Sequence, residues 1–221
     1  MKQAKKITIF AGHYGSGKSN LAVNYAFYLK ENGYQTALMD LDIVNPYFRS
    51  KDSTAILREK GIRVIASEYA NTNMDLPALP PEMYSMFMDD GRYSVVDLGG
   101  DDRGAYALGR FSEQLCDPSL YEMLLVVNRF RPDTATAEGV LEVVGEIEAA
   151  CRVKFTGIAN NTNLGVETTR EHVLDSVSYA DEVSRLTGLP VVMTSYSAHL
   201  GELDVPHPFP ITLTTKSIGN I

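Results

Sequence analysis

The sequence predicts an α/β protein: a mostly parallel sheet of about seven strands with helices on both faces. Two observations carry this expectation. Short apolar runs alternate with amphipathic stretches of helical length along the chain. Polar residues rich in carboxylates and amides follow many of those runs, as they do where a parallel sheet presents a binding crevice at the carboxyl ends of its strands. There is no repeat of fixed period and no low-complexity segment. Pro77, Pro80, Pro81 and the tail "VPHPFPI" mark loops instead of a linker, so residues 1–221 read as a single domain.

The elements follow in order. Residues 6–11 (KITIFA) are β-branched, end at Gly12 and predict a strand. Residues 18–32 place Leu21, Tyr25, Tyr28 and Leu29 on one helical face and stop near Gly33. Next come a strand at 34–42, a helix at 53–60, a strand at 62–66, a helix at 80–90 and a strand at 93–99. The second half repeats the rhythm: strand 121–128, helix 133–150, strand 154–160, helix 168–187 and strand 190–196. The proline-bearing tail predicts packed extended chain, not an amphipathic membrane helix.

Composition narrows the functional classes. The formal net charge is −8, with no basic stripe, which argues against DNA as a partner. No apolar run reaches the roughly 18 to 20 residues of a membrane span, and membrane tethering has no support. The two cysteines, Cys116 and Cys151, lie far apart and form no C-x-x-C pair. The histidines His172, His199 and His207 are too scattered to suggest a metal-ligand set. The expectation is a soluble cytoplasmic protein.

Gly12 to Ser19 reads G-H-Y-G-S-G-K-S, which fits G-x-x-x-x-G-K-[ST] between a strand and a helix. Gly12, Gly15 and Gly17 let the backbone turn its N–H groups onto phosphate oxygens, and Ser16 completes the turn. Lys18 carries a full charge to the outer phosphates, Ser19 offers a hydroxyl to Mg²⁺, and Asn20 follows in the first helical turn. The loop makes this a P-loop NTPase fold. Asp97 ends an apolar run as a Walker B aspartate does and would hold magnesium through water. Gly100, in D-x-x-G spacing after it, would sense the terminal phosphate. Asp42, with Asp40 as its partner, would ligate a magnesium water or orient the attacking water. Arg103, Arg129 and Arg131 lie near strand ends and are candidate cations for the transition state.

These segments, "GHYGSGKS", "ALMDLDIVNPYF" with its nearby Asn45, "VVDLGG" and "TGIANNTN", resemble the MinD/ParA-type ATPases of the CobQ/CobB/MinD/ParA nucleotide-binding superfamily. The resemblance spans about residues 5–195. It implies ATP/ADP and Mg²⁺ as cofactors, with Lys18, Asp42 and Asp97 as the catalytic set and Ser19, Asp42 and Asp97 at the metal. It further implies that Asn161, or Asn160 beside it, contacts adenine, with residues 194–199 flanking the base or ribose. No N-K-x-D is present, so adenine over guanine rests on the resemblance alone. One position departs from the family: His13 stands where a signature lysine reaches across a dimer to the partner's nucleotide. A histidine can donate one hydrogen bond to a phosphate, stack with Tyr14 or face solvent, but it cannot replace a long cation. The implied function is a slow ATPase switch acting on an unknown protein partner, with a nucleotide-dependent homodimer open. The alternative is an ATP-dependent small-molecule ligase or kinase of the dethiobiotin-synthetase or cobyrinate-synthase type, with residues 67–84 lining its substrate pocket.

Overall fold

The computed structural model describes residues 4–41, 51–66, 81–88, 91–99 and 102–212. Within them the strands are β1 (Ile7–Ala11), β2 (Gln35–Asp40), β3 (Arg63–Ala66), β4 (Arg92–Asp97), β5 (Tyr121–Val127), β6 (Gly157–Asn160), β7 (Val191–Ser197) and β8 (Pro208–Ile211). The α-helices are α1 (Lys18–Glu31), α2 (Lys51–Glu59), α3 (Asp102–Gly109), α4 (Ala137–Cys151) and α5 (Arg170–Thr187).

The strands form one eight-stranded sheet in the order β3-β2-β4-β1-β5-β6-β7-β8. Every pairing is parallel. Parallel strands need helices on both faces to bury them. On one face α1 and α2 cover Phe10, Leu38, Val95 and Leu124 through Leu21, Ala26, Leu29 and Leu57. On the other, α3, α4 and α5 cover Ile9, Met39, Val96 and Leu125 through Leu108, Val140, Val143 and Val183. β1 lies inside the sheet, so its carboxyl end opens between β4 and β5.

The expected alternation is realised with three refinements. The helix expected at 80–90 is a 3-10 segment, Pro81–Phe87, with Met83 and Met86 buried. Their spacing of three matches the tighter turn of that helix. The sequence does not predict α3, because Gly104 and Gly109 weaken its helical signal. Gly104 is there because a Cβ would lie 2.9 Å from Leu41 O and 3.0 Å from Gly99 N. β8 adds an eighth strand within the tail expected to pack as extended chain. It buries Phe209 and Ile211 and exposes Pro208 and Pro210, a pattern a sheet edge tolerates.

Candidate nucleotide-binding site

β1 delivers the chain into the loop at Gly12. Its φ of 152° and the approach of Val126 O, 2.5 Å from where a Cβ would stand, make glycine obligatory. Gly17, at φ 90° and ψ 20°, is the left-handed N-cap of α1 and offers no side-chain cap. The first turn of α1 carries no acidic residue. The positive end of the α1 dipole is thus not neutralised by a carboxylate of its own first turn, which suits an anion there. The Ser16 hydroxyl is buried inside the loop without a hydrogen-bond partner among the described residues. Lys18 is buried at the head of α1, and its Nζ donates to His13 O at 2.9 Å, so the ammonium lies across the loop. Ser19 is half-buried one position on, and Asn20 is buried.

Three side chains from other parts of the chain hold this loop from outside. Asn161, just past β6, donates from Nδ2 to Ser16 O at 2.6 Å. Its Oδ1 accepts from Ser195 Oγ of β7 at 2.6 Å. Arg131, after β5, donates from Nε to Gly15 O at 2.9 Å. Asp133 of the same turn pairs with His13 Nδ1 at 2.9 Å. The ring of His13 is thus engaged by its own chain. The turns that carry these groups are themselves cross-linked. Asn128 accepts from the Phe130 and Asn163 amides and donates to Asn163 O at 3.0 Å. Asn160 is buried against α5, donating to Ser176 Oγ at 2.8 Å and accepting from Thr162 Oγ1 at 2.8 Å. In the 194–199 segment, Thr194 and Ser195 are buried, and Ser197 Oγ meets His199 Nδ1 at 2.7 Å.

The other flank of β1 is acidic. Strand register sets Asp97 of β4 beside Phe10 of β1 and opposite Asp40 of β2. Both carboxylates are 1% exposed. This pairing of Asp40 with Asp97 follows from β4 lying between β1 and β2, which spacing along the chain does not reveal. Asp42, Asn45 and Gly100 fall outside the described residues, as does most of the 67–84 segment. A second acidic surface lies beyond the loop. A cleft of about 330 Å³ is lined by His13, Asp133, Glu142 and Glu146. Its carboxylates repel phosphate, which leaves the head of α1 as the favoured anion position.

These residues fit a magnesium nucleotide. Left-handed glycines, a hydroxyl buried in the loop, a lysine at the helix head and buried carboxylates at the ends of β4 and β2 form the donor set such a ligand requires. Parallel sheet, loop and carboxylates together define a P-loop NTPase.

The comparisons place the chain within that class. A family model for ParA, described as an NUBPL iron-transfer P-loop NTPase, matches residues 2–63. No curated protein matches by sequence. Among solved structures, the cell division protein FtsY of Thermotoga maritima is similar at a TM-score of 0.56 and 15% identity, over 86% of this chain and 61% of that one. FtsY of Mycoplasma mycoides gives a TM-score of 0.51 at 18% identity, over 86% and 59%. The signal recognition particle 54 kDa protein of Aeropyrum pernix, in complex with GDP, gives 0.52 at 15%, over 86% and 41%. The chain thus spans about three fifths of the length of either FtsY structure. At these identities the structural likeness establishes the fold. With the family match over the first strands and the loop, it is consistent with the MinD/ParA type that the sequence resembles. No described helix is long and apolar enough to cross a membrane.

Proposed function

We propose that the protein is a Mg²⁺-dependent ATPase of the MinD/ParA type whose nucleotide state acts as a switch on a protein partner. The supporting observation is the junction of β1 and α1: an uncapped helix head with Lys18 lying across a glycine loop, next to the buried Asp97. The α1 amides and Lys18 bind the phosphates. Ser19 and Asp97 would hold Mg²⁺, which supplies charge neutralisation and polarisation at the terminal phosphate. Asp97, buried at the end of β4, is held by the sheet in one position, so it costs little to order on binding. Asp42 and Gly100 keep the roles that the resemblance gives them. A protein partner is favoured by apolar side chains exposed on the loops after β1, β5 and β6: Tyr14, Phe130, Leu164 and Val166. A homodimer belongs to the same reading; a bridge from position 13 is disfavoured because a histidine is shorter than a lysine and this one lies beside Asp133.

Guanine is the competing base, since one similar structure is a complex with GDP. Adenine is preferred here on the resemblance to the MinD/ParA type alone. The test is steady-state release of phosphate from ATP and from GTP with Mg²⁺, comparing wild type with Lys18→Ala. Magnesium-dependent release from ATP that vanishes in the variant supports the reading. Equal rates in both proteins, or release from GTP alone, refute it.

A further inference from the structure

We infer that Asn161 is a positioning residue for the phosphate loop, and that its contribution to binding falls on the phosphates and not on the choice between adenine and guanine. This rests on the nucleotide-binding reading above and departs from the adenine-contacting role that the resemblance implies.

The geometry is specific. Asn161 is 2% exposed. Its amide nitrogen donates to the carbonyl of Ser16 at 2.6 Å, and its oxygen accepts the Ser195 hydroxyl at 2.6 Å. Its backbone N–H donates to Val127 O at 2.9 Å. Main chain and carboxamide together therefore join β5, β7 and the loop. A carboxamide has two donor hydrogens and an oxygen with two lone pairs, and one of each is engaged here. With so little of the residue exposed, the remaining hydrogen and lone pair have scant surface from which to reach a base.

The loop is shaped around this contact. Gly17 holds a left-handed φ of 90°, and a Cβ there would overlap the Asn161 amide nitrogen. The Ser16 carbonyl that Asn161 grips belongs to the peptide whose N–H is Gly17's, at the cap of α1. Gripping that carbonyl fixes the plane of the peptide and so the direction in which the Gly17 N–H points. An anion cradle depends on its amides converging, so loss of the grip weakens every polyphosphate alike. Arg131 makes a comparable contact with Gly15 O from an exposed position, where a bond to protein competes with water and contributes less.

Calorimetric titration of the full chain with the magnesium complexes of ATP, GTP and inorganic tripolyphosphate tests this, comparing wild type with Asn161→Ala. All three ligands are expected to weaken together by about tenfold, the scale of one buried hydrogen bond. The ATP-to-GTP affinity ratio is expected to stay within about twofold of wild type, since the base contacts are untouched. Ser195→Ala removes only the hydroxyl that orients the carboxamide and serves as the second variant should Asn161→Ala fail to fold. It is expected to show a parallel loss of about threefold. Unchanged tripolyphosphate affinity in the folded variants, or a loss confined to one nucleotide, overturns the inference. Wild-type protein that takes up none of the three ligands removes the nucleotide site itself, and the inference with it.

Discussion

The two flanks of β1 are built differently at the carboxyl edge of the sheet. Toward β5, β6 and β7 the edge is made of amides and hydroxyls: Asn128, Asn160, Asn161, Thr162 and Ser195. Their hydrogen bonds run to one another, to α5 and to the loop. Toward β4 and β2 it presents the buried carboxylates Asp97 and Asp40 in register. Neutral groups whose bonds are made within the protein hold a shape. Carboxylates buried together favour a cation. The comparison assigns the loop's geometry to the amide flank and its metal chemistry to the acid flank, with Lys18 between them.

Changes on each side should therefore separate binding from chemistry. The largest effect is expected from Asp97→Asn. Phosphate release from ATP should fall by roughly 10²- to 10³-fold, because a preorganised charge is lost. Magnesium-free ADP binding, followed by calorimetry, should stay near wild type. Gly17→Ala comes next and acts on the amide flank. The left-handed φ and the overlap with Asn161 should cost about 1–3 kcal/mol, read from denaturant unfolding, and weaken ATP and GTP together. Tyr179→Phe is smaller. It removes the hydroxyl that donates to Thr134 O at 2.5 Å and should cost about 1 kcal/mol.

The same tyrosine has a pH signature. Burial, first of all, raises its phenol above the ordinary value. The stability linked to this shift is complete below the unfolded pKa near 10 and is lost as pH climbs from there toward the folded value. Tyr179→Phe should flatten part of the decline in melting temperature above about pH 10. The smallest effect is expected from Asp133→Asn. The His13–Asp133 pair is about half exposed, so less than about 1 kcal/mol is at stake. Nucleotide affinity should change by less than about fivefold. A larger loss there would move weight from the buried brace at Asn161 to the exposed one.

What the sequence revealed follows the same division. Gly12 to Ser19 is contiguous, and each residue's chemistry depends on its neighbours, so the motif is visible in one dimension. Asp97 is legible because it closes an apolar run. Seven of the eight strands are legible because a strand covered on both faces must be apolar along its length. α3 is hidden by Gly104, whose missing Cβ serves a close approach to Leu41 O and not a turn. The braces are hidden for a different reason. Asn161 reaches Ser16 across 145 positions and Arg131 reaches Gly15 across 116, and only the strand order brings them together. The approach of Asp133 to His13 is not legible in the sequence, because a histidine in a glycine loop suggests phosphate or solvent before a carboxylate from the neighbouring turn.

The central claim is that the β1–α1 turn is an anion cradle already shaped by its own chain. Calorimetric titration of wild type and Lys18→Ala with magnesium ATP tests it most directly. The expected result is saturable, one-to-one uptake by wild type, weakened by about 100-fold or more once the charged donor is gone. Correctly folded wild type that takes up no ATP, or a variant that binds as tightly as wild type, would contradict it.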